Sequence, residues 1–139
     1  MQTEMVELSR YRMEKATEWL ADAQDAFEEN RLANSINRSY YAVFHATRAM
    51  LALEVFDSKK HSSIIGYFNQ YYVATGKLIK ITFWYWQRHS EFAIRRITMT
   101  SIIVSKIEAQ KQLENGRAFV DFIGGYIDDE IRHQGMTEI

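Results

Sequence analysis

The chain has 139 residues, enough for one domain with a real core and too few for two. Its 17 lysines and arginines against 18 aspartates and glutamates leave a net charge of -1, so a broad basic field of the kind that coats nucleic acid is excluded and any such contact is local. The absence of cysteine excludes disulfides, thiolate metal sites and cysteine nucleophiles, and the absence of proline leaves long helices uninterrupted, so all-α is the expected class.

The N-terminal Met1-Gln2-Thr3-Glu4 is polar and acidic, unlike a secretion signal. The first predicted helix runs from about Glu7 to Glu29, with Met13, Ala16, Leu20, Ala23 and Phe27 as its apolar seam. Arg10, Glu14, Glu18 and Asp25 form its solvated face, and Asn30 is the expected stop.

The second helix spans about Leu32 to Phe56. Ile36, Tyr40, Val43, Thr47 and Met50 give one buried stripe, widened by Ala33, Phe44 and Leu51. Ala42, Ala49 and Ala52 lie on the other side, small enough to let a neighbouring helix approach closely. A helix that wants burial on both sides is central to a bundle or lies at an oligomer interface, and a homodimer is the expectation drawn from it.

The polar connection Asp57-Ser58-Lys59-Lys60-His61 follows, then a short third helix carrying Ile64, Ile65, Phe68, Tyr71 and Tyr72 that ends before Thr75-Gly76. A fourth covers about Leu78 to Arg96. The last, from about Ser101 to Ile131, is expected to be capped by Thr98 or Thr100 and to bury Ile102, Ala109, Leu113, Val120, Ile123 and Ile127. Gly124-Gly125 should weaken its final turns, and residues 132–139 read as a frayed tail. The domain organisation is one helical domain over 1–139. No run is long and apolar enough to span a membrane, and a cytoplasmic protein is expected.

One pattern on the second helix stands out. Asn34, Arg38, Tyr41, His45 and Arg48 recur at steps of 4, 3, 4 and 3 residues, which at about 100° per residue keeps them on one line of a mostly apolar helix. Arginine can clamp a phosphate through its planar fork, and histidine can move a proton near neutral pH. RNA cleavage needs a base for the 2′-hydroxyl proton, an acid for the leaving oxygen and a cation for the charged phosphorane. Along the axis, however, Arg38 and His45 are about 10 Å apart. They can grip different parts of a nucleotide, or a second helix or second subunit completes the site. The alternative is structural: Arg38 pairs with a carboxylate on a neighbouring helix and His45 donates to a backbone carbonyl.

Two further groups are candidates. Arg88, His89, Glu91, Arg95 and Arg96 form either a phosphate-holding extension of the stripe or a solvated charged face. Lys59-Lys60-His61 is a basic connection ahead of a helix, suited to a phosphate and equally to solubility. Trp84, Tyr85 and Trp86 can stack bases but at helical spacing suit a core. There is no Gly-rich phosphate loop, no His-Glu-x-x-His and no Gly-x-Ser-x-Gly; the four histidines are scattered, so neither a metal nor another cofactor is expected.

The segment Asn37-Arg38-Ser39-Tyr40-Tyr41-Ala42-Val43-Phe44-His45-Ala46 resembles the signature of the HEPN domains. The resemblance continues through Asp57-Ser58-Lys59-Lys60-His61-Ser62, Phe68, Thr75-Gly76 and Arg88 to Ala118-Phe119-Val120. It implies an up-and-down bundle, here of about five helices, that commonly dimerises. Many members are toxins or RNases with an arginine and a histidine about four to six residues apart, and others accompany a minimal nucleotidyltransferase as the toxin of a toxin–antitoxin pair. Carried over residue by residue, the resemblance implies Arg38 and His45 as catalytic, and Asn37, Tyr41, Arg48, His61, Arg88 and Glu91 as nucleotide- or phosphate-binding. Around Arg88 the chain departs from the usual pattern of an arginine followed by Asp-Tyr. Arg88-His89-Ser90-Glu91-Phe92 keeps the acidic charge and loses the hydroxyl. The implied function is a nucleotide- or RNA-binding, RNase-like toxin component; the alternative is a non-catalytic helical dimerisation or interaction module in which the stripe is structural.

Overall fold

The computed structural model describes residues 3–53 and 105–137. These form three helices: α1 (Thr3–Glu28), α2 (Leu32–Ala52) and α3 (Lys106–Thr137). Among the described residues there is no strand, and the all-α class holds. The expected third and fourth helices, the polar connection at 57–61 and hence the count of five lie outside the described residues.

α1 stops where the sequence asks it to. Asn30 adopts φ 62°, the left-handed conformation that asparagine tolerates better than most residues. Its N–H bonds the Phe27 carbonyl at 3.0 Å, and the Arg31 N–H reaches back to the Ala26 carbonyl at 2.8 Å. Those two bonds satisfy carbonyls that the helix end would otherwise orphan, in the Schellman arrangement. α2 begins at once, its first helical bond running from the Ser35 N–H to the Arg31 carbonyl at 3.0 Å.

The short turn makes α1 and α2 an antiparallel hairpin, and two serine hydroxyls fix its register. Ser9 Oγ donates to the Ala49 carbonyl at 2.7 Å, and Ser35 Oγ donates to the Ala23 carbonyl at 2.8 Å. The two links are 14 residues apart on both helices, so there is no slip over about 21 Å. A serine side chain can reach a backbone carbonyl of another helix only where the backbones come close. Small residues permit that approach: Ala16, Ala23 and Ala26 of α1, and Ser35, Ser39, Ala42, Ala46 and Ala49 of α2, are all buried. The close neighbour expected from Ala42 and Ala49 is thus α1.

Among the described residues, α3 supplies the rest of the core. Phe119, Val120, Ile123 and Ile127 join Ala16 and Leu20 of α1 and Val43, Phe44, Met50 and Leu51 of α2 in one cluster. Full burial of each large aliphatic side chain, such as Ile123 or Met50, favours folding by about 1.5–3 kcal/mol. Both sides of α2 are therefore buried within one chain, which removes the reason for a dimer drawn from α2 alone.

Several boundaries differ from expectation. α1 begins at Thr3 rather than near Glu7. Its seam includes Ser9, Arg12 and Ala26, while Met13 and Phe27 are only half-buried. α3 begins at Lys106, and its cap is neither Thr98 nor Thr100. Ser105 Oγ accepts from the Glu108 N–H at 3.1 Å, and Ser105-Lys106-Ile107-Glu108 is the Ser-x-x-Glu pattern of a capping box. α3 passes through Gly124-Gly125 and continues to Thr137, beyond the expected end at Ile131. Gly124 faces α1, where an added Cβ would come within 3.3 Å of Met13 Cε; Gly125 faces open space. Among the described residues no helix is long and apolar enough to cross a membrane.

Candidate functional site

The helical repeat of α2 places Arg38, Tyr41, His45 and Arg48 along one side, each half-buried, with Asn34 exposed at the end of the line. The stripe neither enters the core nor stands free. α1 runs alongside it, and Trp19 lies at the centre of the contact.

The Trp19 ring stacks on Tyr41 with centroids 5.1 Å apart and planes 26° from parallel. It stacks on His45 at 6.2 Å and 13°. The Arg38 guanidinium carbon lies over the same indole, 5.9 Å from its centroid. Arg38 and His45, about two turns apart along α2, are thus each about 6 Å from one ring of the neighbouring helix. Phe44 completes the surround: its ring meets His45 edge-on at 6.1 Å, and Arg48 lies over it at 5.8 Å.

The charges are unevenly spread. Arg38 Nη1 approaches Asp22 Oδ2 at 3.9 Å, a long and partly exposed ion pair of the kind worth little in water. The carboxylate partner expected for Arg38 under the structural alternative is therefore present, though at the limit of contact. The backbone acceptor expected for His45 is not: His45 makes no hydrogen bond to a described residue. Arg12, buried on α1, donates from Nη1 to the Arg48 carbonyl at 3.3 Å. Lys15 is engaged by Glu18 at 3.1 Å. Burial, reinforced by the positive charges of Arg48, Arg12 and Lys15, pushes the His45 imidazole below its ordinary value of 6.5. At neutral pH His45 is an uncharged ring, able to accept a proton, beside several cations.

Of the residues singled out in the sequence, Arg38, Tyr41 and His45 meet on Trp19, and Arg48 adjoins them through Phe44. Asn37 lies next to Arg38 in sequence, half-buried, and its Oδ1 is buried with no hydrogen-bond partner among the described residues. His61, Arg88 and Glu91, with Trp84, Tyr85 and Trp86, lie outside the described residues. Among the described residues no three His, Asp or Glu side chains gather as a metal site would require.

Trp19 and Arg12 were not singled out from the sequence. Arg12 had a signal: Ser9, Arg12, Ala16, Leu20 and Ala23 follow one another at helical steps, so two polar residues lie in line with the seam. Trp19 had none beyond being the one tryptophan of α1.

The geometry can be set beside known proteins. A model of the HEPN domain matches residues 9–125. The chain belongs to the HEPN family. This HEPN chain is 38% identical over 85 residues to a UPF0332 protein of Pyrococcus horikoshii, covering 61% of this chain and 58% of that protein. It is 35% identical over 69 residues to a Methanocaldococcus jannaschii protein named "putative toxin", covering 50% and 52%. A second protein so named in that organism is 24% identical over 115 residues, covering 83% and 78%. The chain thus spans little more than half the length of the first two relatives. All three helices of this HEPN domain, and the stripe between α1 and α2, fall largely within the matched residues.

Proposed function

We propose that this HEPN domain binds nucleotide or RNA and acts as the RNase-like toxin component of a pair with a nucleotidyltransferase antitoxin, as a homodimer. One observation carries the reading: the half-buried His45 imidazole, its pKa held down by burial and by Arg48, Arg12 and Lys15, stacks on the Trp19 ring over which the Arg38 guanidinium also lies. The names of the two Methanocaldococcus jannaschii relatives point the same way.

The roles follow from the chemistry. His45 accepts the 2′-hydroxyl proton as that oxygen attacks phosphorus; the P–O5′ bond breaks to leave a 2′,3′-cyclic phosphate, and the departing 5′-oxygen takes its proton from water. Arg38 faces the negative charge that develops on the phosphoryl oxygens, and Arg48 holds an adjacent phosphate. Tyr41 and Asn37 orient the nucleotide, and Asn37 Oδ1, without a hydrogen-bond partner among the described residues, is an acceptor for a base or sugar donor. His61, Arg88 and Glu91 are assigned to nucleotide or phosphate binding on resemblance alone. None of these roles calls on a metal ion.

The test is RNA cleavage by purified protein with chelator present. Arg38→Ala and His45→Ala should each abolish cleavage while the helical circular dichroism stays intact. Unchanged cleavage in both variants overturns the assignment. The second reading, a non-catalytic interaction module, is favoured by the Arg38–Asp22 approach and the Arg12 bond to the Arg48 carbonyl. It expects no cleavage by the wild type and a lower melting temperature in Arg38→Ala.

A further inference from the structure

The axial rise holds Arg38 and His45 about 10 Å apart, too far to act on one atom without help from elsewhere. What joins them is a side chain of another helix. We infer that Trp19 is the positioning residue of the Arg38–His45 pair: among the described residues its indole is the surface against which the guanidinium and the imidazole are both set, so the site is assembled by the α1–α2 contact within one chain. This rests on reading His45 as the proton-transfer group.

Three observations support it. The imidazole lies 13° from parallel with the indole, and Phe44 meets it edge-on at 6.1 Å, so swinging the ring in either direction breaks a contact. Trp19 is itself fixed. It stacks on Tyr41, one turn before His45, and the Ser9–Ala49 and Ser35–Ala23 bonds pin α1 to α2 on either side of it. Trp19 also stands at the margin of the core rather than within it. The buried positions of α1 are Ser9, Arg12, Ala16, Leu20, Ala23 and Ala26, with Trp19 half-buried against the core cluster. A tryptophan needed only to fill the core would take one of those positions.

Among the described residues, the charged groups that face His45 are Arg48 on its own helix and Arg12 and Lys15 on α1; Glu18 holds Lys15, and Asp22 approaches Arg38. Removing the indole leaves these charges in place while admitting water to the imidazole.

The test compares Trp19→Leu and Trp19→Phe with the wild type in two measurements. In the first, the imidazole signals are followed by NMR against pH, with His45 assigned from His45→Gln. Trp19→Leu should move the His45 midpoint up towards its ordinary value; Trp19→Phe, which retains a ring, should move it only part of the way. In the second, RNA cleavage by Trp19→Leu should lose about ten- to a hundredfold in kcat with little change in KM, and Trp19→Phe should recover most of it. An unmoved His45 midpoint in folded Trp19→Leu overturns the inference. If that variant does not fold, an unmoved midpoint in Trp19→Phe does the same. If the wild type cleaves no RNA, the proposed function fails, and the titration still decides whether Trp19 sets His45.

Discussion

For His45 the direction of its pKa displacement fixes the direction of a pH effect. Burial and the cations Arg48, Arg12 and Lys15 make protonation harder in the folded chain than in the unfolded one. Above the ordinary value of 6.5 both states hold a neutral ring and the fold has this contribution in full. As pH falls below 6.5 the unfolded chain takes up the proton first, so stability is lost progressively until pH passes the lowered folded value, where the loss ends. His45→Gln removes the titration. The melting temperature of the wild type should therefore fall relative to that of His45→Gln between about pH 7 and about pH 5, and parallel profiles would show that His45 is not shifted. The 3–4 spacing was sufficient to place Arg38, Tyr41, His45 and Arg48 on one line, because helix geometry is local. Which helix they meet is not local, and so Trp19 and the buried Arg12 could not be assigned from the stripe.

At the scale of the elements, the α1–α2 hairpin depends on one residue of unusual conformation. Asn30 at φ 62° lets the Arg31 and Asn30 N–H groups close back on Ala26 and Phe27. Alanine in that conformation pays for its Cβ by about 1–2 kcal/mol, whereas glycine does not. Asn30→Ala should lower the melting temperature by several degrees and Asn30→Gly should leave it unchanged or raise it. Equal melting temperatures for the two variants would show that the turn is not strained. Asn30 was legible because the residue type and the end of the apolar period coincide. The start of α3 was not, because several serines and threonines precede it, and only the hydrogen bond from the Glu108 N–H to Ser105 Oγ selects among them. Gly124-Gly125 was misleading for the complementary reason. A glycine weakens an isolated helix, but here Gly124 faces Met13 of α1, and the packing of α3 through Ile123 and Ile127 carries the helix past it.

At the scale of the molecule, the remaining choice concerns how many chains make one site. The apolar pattern of α2 suggested a partner subunit, yet α1 and α3 already bury both of its sides within a single chain. The sequence could show that α2 needs two neighbours and could not show that both belong to the same chain. The stripe itself is only half-buried, so a homodimer has room to form over it, but the Arg38 and His45 of one chain lie against the same Trp19. A site built in cis and a site shared across a two-fold axis differ in a mixing experiment. Arg38→Ala and His45→Ala chains are each inactive under the proposed mechanism. If the pair acted across the interface, every mixed dimer would carry one intact arginine–histidine combination, and random reassortment would restore roughly a quarter of the wild-type activity. With both residues set on Trp19 of their own chain, each mixed dimer contains only damaged sites, and no activity should return. Light scattering should give the dimer mass for the wild type and for the unfolded-and-refolded mixture, which ensures that the chains have exchanged. A monomer mass would remove the dimer from the proposed function, and recovery of activity on mixing would move the arginine–histidine pair to the interface between subunits.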